Sequence, residues 1–181
     1  PPSSPAQTPA ASADVDVDAD AGAGAIDGAP SPTDGDVAAT YCATLVDEWI
    51  SCGLTDAVIS PGSRSTPMAL ALAARSELRV HVHHDERSAS FTALGLAKAT
   101  GRPAAVLCTS GTAATQLHAA VVEAHQAFVP LLVITADRPS ELHGVGAPQT
   151  IDQRELYGAS VRWFCEPGAP VAGGSPWWRD L

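Results

Sequence analysis

Four short stretches carry the chain's most unusual polar residues: Ser60-Pro-Gly-Ser-Arg-Ser65, Asp85-Glu-Arg-Ser88, Thr109-Ser-Gly-Thr112 and Ala136-Asp-Arg-Pro139. Glu86 stands where an alternating run gives way to a helical pattern rich in small residues. There a carboxylate either holds a proton for chemistry or meets the free N–H groups of a helix start, where negative charge is worth about 0.3–1 kcal/mol. Arg87 beside it suits a surface ion pair of little energetic weight. Ser110, Gly111 and Thr112 offer hydroxyls and backbone N–H groups at a second helix start. Such a turn fits an anion or a ring heteroatom, and equally an ordinary helix cap.

Other chemistries lack their signatures. The chain has neither the GxxxxGK[ST] nor the GxGxxG pattern, so a phosphate cradle is unsupported, and no GxSxG elbow makes a nucleophile of Ser63 or Ser110. His81, His83 and His84 look like a metal cluster, but alternation puts only His81 and His83 on one strand face, and no third ligand is suitably spaced. No metal is expected there. His118 and His125 lie seven residues apart in one helical stretch, where packing or exposure explains them. The four cysteines (Cys42, Cys52, Cys108 and Cys165) form no CxxC pair and sit in apolar patterns, as free thiols do in a reducing compartment.

The elements that must position these residues follow from periodicity. Val37, Tyr41, Leu45 and Trp49 recur at helical spacing, and Gly53 is a plausible stop. Ala57-Val-Ile59 is a short strand, and Thr66 to Ala74 a helix with Pro67 in its first turn. Residues 79–84 alternate, as on a sheet edge or a strand with one polar face. Residues 86–99 predict a helix closing at Gly101. Ala104 to Thr109 and Leu131 to Thr135 are continuous apolar runs, expected as strands buried on both faces of a parallel sheet. A helix is predicted from Ser110 to about Phe128, a short helix at 152–158 and a last strand at 160–165. Strands alternating with helices give the class α/β, a doubly wound parallel sheet flanked by helices. In that class the loops beyond the carboxyl ends of the strands line the ligand crevice, and all four polar stretches fall there.

Composition divides the chain. Residues 1–36 are almost entirely Pro, Ala, Ser, Thr, Gly and Asp, with seven Asp and no Lys or Arg, so they carry −7 of the formal −10. Such a stretch buries too little apolar surface to offset its ordering entropy, and it is expected to be a disordered acidic tail. Residues 37–166 form the expected domain, and 167–181 a linker. The domain has no basic stripe, which argues against nucleic acid. No window approaches the ~18 apolar residues of a membrane span. The N-terminus has neither a basic region followed by an apolar core nor a transit peptide's Arg-rich, acid-poor composition, so a cytoplasmic protein is expected.

The four stretches, joined in order by Ala93-Leu-Gly-Leu-Ala-Lys98 and Gly146-Ala-Pro-Gln-Thr-Ile-Asp-Gln153, resemble the N-terminal, pyrimidine-binding domain of thiamine-diphosphate-dependent enzymes. Within them the likeness is to the synthase family of menaquinone biosynthesis that joins 2-oxoglutarate to isochorismate. It runs from about Val37 to Cys165. It implies that Glu86, in the DER motif, holds a proton on the far ring nitrogen of the cofactor's aminopyrimidine. Ser110, Gly111, Thr112 and Gln149 would line the cofactor. Ser63, Arg64 and Arg138 would face the acidic substrates, an Arg fork being suited to a carboxylate. The family commonly places Asn before that glutamine, whereas this chain has Pro148, which removes a side-chain amide and an N–H.

The same resemblance implies a homodimer or homotetramer, and Mg2+ and diphosphate ligands in a further domain whose GDG signature this chain lacks. A fragment, inactive by itself, is therefore expected. Two rivals remain open at this stage: a non-catalytic α/β assembly or interaction domain, and the pyrimidine domain of another thiamine-diphosphate enzyme such as an acetolactate-synthase-like protein.

Overall fold

The computed structural model describes residues 33–172. Helix α1 spans Asp34–Ser51 and is started by a capping box: the Thr33 hydroxyl accepts from the Asp36 N–H, and the Asp36 carboxylate accepts from the Thr33 N–H. Asp34 to Asp36 thus belong to the helix rather than to the tail. The rest of the expected tail and residues 173–181 of the expected linker lie outside the described residues.

Strand β1 (Asp56–Ile59) follows, buried throughout, then a 3-10 turn at Ser63–Ser65 that runs into α2 (Thr66–Ala73). Strand β2 (Arg79–Val82) precedes α3 (Glu86–Thr100), which ends at Gly101 in the left-handed conformation that closes many helices. Strand β3 (Ala104–Cys108), α4 (Thr112–Gln116), α5 (His118–Gln126) and β4 (Leu131–Thr135) complete the regular elements. The sheet is entirely parallel, in the order β2-β1-β3-β4.

Side-chain alternation explains why the two inner strands are apolar at every position. Ala57, Ile59, Ala105 and Leu107 face α1 and α2, packing with Cys42, Val46 and Leu72. Val58, Ala104, Val106 and Cys108 face the other side, against Ala89, Ala93 and Ala97 of α3 and Leu117 and Val121 near and within α5. The run of alanines on α3 lets the helix lie close to the sheet. Val46, Leu72, Leu107 and Leu117 are at most 1% exposed, each burial worth roughly 1.5–3 kcal/mol. The doubly wound α/β architecture read from the sequence is the observed one.

Four expectations need correction. β4 is half-exposed, not buried, because it ends the sheet order and has no outer neighbour among the described residues. Beside it runs a groove of about 890 Å³, lined among others by Trp49, Met68, Ile134 and Phe164. The helix expected from Ser110 to Phe128 starts at Thr112 and is interrupted at Leu117. There the Tyr157 hydroxyl donates to the Ala114 carbonyl (2.8 Å), an acceptor that helix continuation would use. Residues 152–158 form turns rather than a helix, since Glu155 takes φ 51°, and only Gly158–Ser160 makes a 3-10 turn. Residues 160–165 pair with no strand among the described residues.

The opposite, amino-terminal end of the sheet is tied by Asp56, 1% exposed, whose carboxylate accepts from the Arg79 guanidinium at 2.9 and 2.7 Å and from the Thr55 hydroxyl at 2.9 Å. His81 lies 3.3 Å from the same carboxylate, so this histidine serves strand pairing. Among the described residues no helix is long and apolar enough to cross a membrane.

Candidate functional site

In a parallel sheet every strand ends on the same rim, so the four polar stretches share one side of the molecule. The chain passes from β1 to β2 on one flank and then returns to place β3 on the other, so the strand order reverses between β1 and β3. Ligands in open α/β sheets bind in the crevice at such a switch point. The loops flanking it here are Ser60–Ser65 and Thr109–Gly111.

These two loops touch. The Ser60 N–H donates to the Leu107 carbonyl (2.8 Å), and Gly62 packs directly on the Thr109 side chain. The Ser65 hydroxyl donates back to the Gly62 carbonyl (3.0 Å), turning the chain tightly so that Ser63 and Arg64 are exposed at the rim. The Ser60 and Ser110 hydroxyls are both enclosed without a hydrogen-bond partner among the described residues.

Glu86 is the first residue of α3, half-buried, and Asp85 does the capping: its carboxylate accepts from the Ser88 N–H at 2.7 Å. Among the described residues, the Glu86 carboxylate makes no hydrogen bond and no ion pair. Its charge reaches the buried Cys108 at the carboxyl end of β3. Burial, with the negative charge of Glu86 adding to it, pushes the Cys108 thiol up to about 12. Glu86 is thus a carboxylate with uncommitted oxygens at the start of α3, on the rim where the strands end.

The turn after β3 offers less than its sequence suggests. The Gly111 N–H is spent on the Gln153 side-chain oxygen (2.7 Å), and the Ser110 hydroxyl is closed off, which leaves the exposed Thr112. Gly111 itself is required by geometry. Its φ of 81° with ψ −143° is a glycine conformation, and a Cβ there would stand 2.9 Å from the Gln149 backbone. Gln149, exposed and itself at φ 55°, is thereby seated against the end of β3. Arg138 follows β4 with its Nε enclosed and without a partner among the described residues, while its carbonyl lies 3.0 Å from the His143 ring.

The fold therefore joins Gly111 with Gln149, and sets Glu86 on the same rim, its charge reaching the end of the strand that leads into Ser110-Gly111-Thr112. No hydrogen bond ties Ser63 or Arg64 to that group among the described residues. Sequence reasoning passed over Gln153, which closed a quoted motif but was given no role. It also passed over Asp85, whose cap leaves Glu86 free. The open Glu86 carboxylate fits an aminopyrimidine as the partner of a ring nitrogen.

A parallel, helix-flanked sheet with polar loops gathered at its switch point is the architecture of ligand-binding open α/β domains. The family model for the thiamine pyrophosphate enzyme, N-terminal TPP binding domain, matches residues 40–156, and the chain belongs to that family. It is similar to the 2-succinyl-5-enolpyruvyl-6-hydroxy-3-cyclohexene-1-carboxylate synthase of Thermobifida fusca, 60% identical over 139 residues, which cover 76% of this chain and 25% of that protein. The synthase of the same name from Geobacillus kaustophilus is 58% identical over 135 residues, covering 75% of this chain and 23% of its own length. That of Chloroflexus aurantiacus is 54% identical over 139 residues, with 77% and 24% covered. The chain thus spans about a quarter of the length of these curated relatives.

Proposed function

We propose that this domain supplies the pyrimidine-holding half of a thiamine-diphosphate site. The enzyme would be a synthase that decarboxylates 2-oxoglutarate and adds the resulting four-carbon unit to isochorismate in menaquinone biosynthesis. Thiamine diphosphate, when bound, supplies the electron sink for that chemistry, and Mg2+ with the diphosphate is held outside the described residues. Glu86 keeps a proton at the far ring nitrogen of the aminopyrimidine. Gly111 admits the Gln149 backbone, and Thr112 and Gln149 border the ring. Ser63, Arg64 and Arg138 orient the carboxylates of the substrates through charge-assisted hydrogen bonds. The working enzyme is a cytoplasmic homodimer or homotetramer.

The observation that carries this reading is the division of labour at the start of α3. Asp85 caps the helix, so Glu86 keeps a carboxylate with no structural partner at the switch-point side of the sheet. The names of the relatives support the choice of reaction. The test is Glu86→Gln in the longer enzyme that carries this domain, read by the exchange rate of the thiazolium C2 proton. The variant keeps the shape but cannot accept the ring proton. Exchange is expected to slow by about 10²–10⁴-fold, the range of a positioned acid–base group. Exchange at the wild-type rate would show that Glu86 does no chemistry.

A further inference from the structure

The rim holds one side chain whose hydrogen bonds span two loops. Gln153 is 8% exposed, its Oε1 accepts from the Gly111 N–H at 2.7 Å, and its Nε2 donates to the Ala136 carbonyl at 3.0 Å. The orientation of the amide is fixed by its partners, since an N–H can only donate and a carbonyl can only accept. One side chain therefore bridges the loops that follow β3 and β4. Ala136 is already joined to the end of β3 through its own N–H, which donates to the Cys108 carbonyl at 3.1 Å.

The bridge closes a small ring of chain. Gln153 lies four residues after Gln149, and Gly111 receives both the Gln153 side chain and the Gln149 backbone. Gln149 has φ 55°, a conformation that local preference alone does not maintain in a non-glycine residue. The segment between Gln149 and Gln153 contains no regular hydrogen-bonded element, and the Thr150 hydroxyl bonds only two residues back to the Pro148 carbonyl (3.2 Å). Pro148, lacking an N–H, cannot contribute a backbone donor to this loop. The Gln153 amide ties the loop that carries Gln149 to the loops that follow β3 and β4.

We infer that Gln153 is a positioning residue, a two-headed lock that holds Gln149 against Gly111 at the cofactor crevice without touching the ligand itself. The chemical part of this inference rests on the role proposed above for Gln149. Glutamine is the residue the geometry demands. Glutamate would offer an acceptor to both partners and meet the Ala136 carbonyl with like charge, and methionine keeps the length but bonds to neither.

Two measurements test it. In this chain, Gln153→Met should raise amide exchange at Gly111 at least tenfold and abolish the nuclear Overhauser contact between Gly111 and Gln149, with exchange at Val106 in the core of β3 unchanged. Survival of the Gly111–Gln149 contact in the variant would overturn the lock, whatever the cofactor does. In the longer enzyme, Gln149→Ala, Gln153→Met and the double variant form a cycle read by kcat with saturating cofactor. If Gln153 acts through Gln149, the double variant is no slower than Gln149→Ala alone. Multiplying losses would mean that Gln153 works elsewhere and would overturn its role as a positioning residue. A Gln149→Ala enzyme with normal turnover overturns the role of Gln149, and with it the chemical purpose of the lock, while the exchange result in this chain still stands.

Discussion

Gly62 lies so close to Thr109 that a Cβ placed on it would stand 2.4 Å from the Thr109 Cβ and 2.9 Å from both its Cγ2 and Oγ1. Those atoms cannot swing aside, because they belong to a short β-branched side chain that is 8% exposed at the end of the buried β3. Gly62→Ala must push the first rim loop away from the second. Overpacking of this kind costs about 1–3 kcal/mol, which lowers the melting temperature by on the order of 5 °C in a domain of this size. A thermal melt decides it, and an unchanged midpoint would mean that the loops separate freely.

Acid should unfold this domain through Asp56. The Arg79 guanidinium holds its carboxyl below the usual range, helped by Thr55 and His81 and opposed by burial. A carboxyl with a depressed folded pKa adds stability that is complete above its unfolded pKa, about 3.9, and is lost as pH falls through the folded value. Stability is therefore expected to decline below about pH 4. Asp56→Asn should flatten that decline while lowering stability at neutral pH. Asp36, Asp47 and Asp85 are also held low, but at exposed positions where solvent screens them. Urea titrations at pH 3, 5 and 7 separate the contributions, and an Asp56→Asn protein with the wild-type acid slope would discount the pair.

The thiols report on Glu86. At mildly alkaline pH, alkylation should take Cys52, which is exposed, and spare Cys108, which burial and the Glu86 charge push up to about 12. Removing that charge with Glu86→Gln must lower the Cys108 value, because a nearby anion disfavours the thiolate. The titration of Cys108 absorbance in a variant whose other cysteines are serine measures this. A curve identical to that of the same protein with Glu86 intact would place the carboxylate farther from β3 than the structure does.

The layered architecture was legible because the strong patterns are global. An uninterrupted apolar run such as Ala104 to Cys108 has one comfortable home, the middle of a covered parallel sheet. Leu131 to Thr135 reads the same way, yet lies at the edge, since composition tells how apolar a strand is and not how many neighbours it finds. The rim was legible from the clustering of Ser60–Ser65, Asp85–Ser88 and Thr109–Thr112 after successive strands. Contacts between loops distant in sequence were not: the Tyr157 hydroxyl that interrupts the helix at Leu117 reaches across 43 residues, and the Gln153 bridge to Gly111 across 42. The start of α1 was missed for another reason. Thr33 and Asp36 form a capping signature, but the acidic, small-residue stretch before them hid it.

The outer side of β4 has a bearing on how this polypeptide behaves in a tube. Its row of N–H and C=O groups finds no partner among the described residues, and the strand Leu-Leu-Val-Ile-Thr carries no charge and no proline within it. Proteins with bare edges guard them with lysines, bulges or covering segments, because an unguarded apolar edge templates the addition of further strands. Here the guard is weak, with Pro130 before the strand and a half-lined groove beside it. Concentrated on its own, the domain is therefore expected to associate edge to edge along this strand.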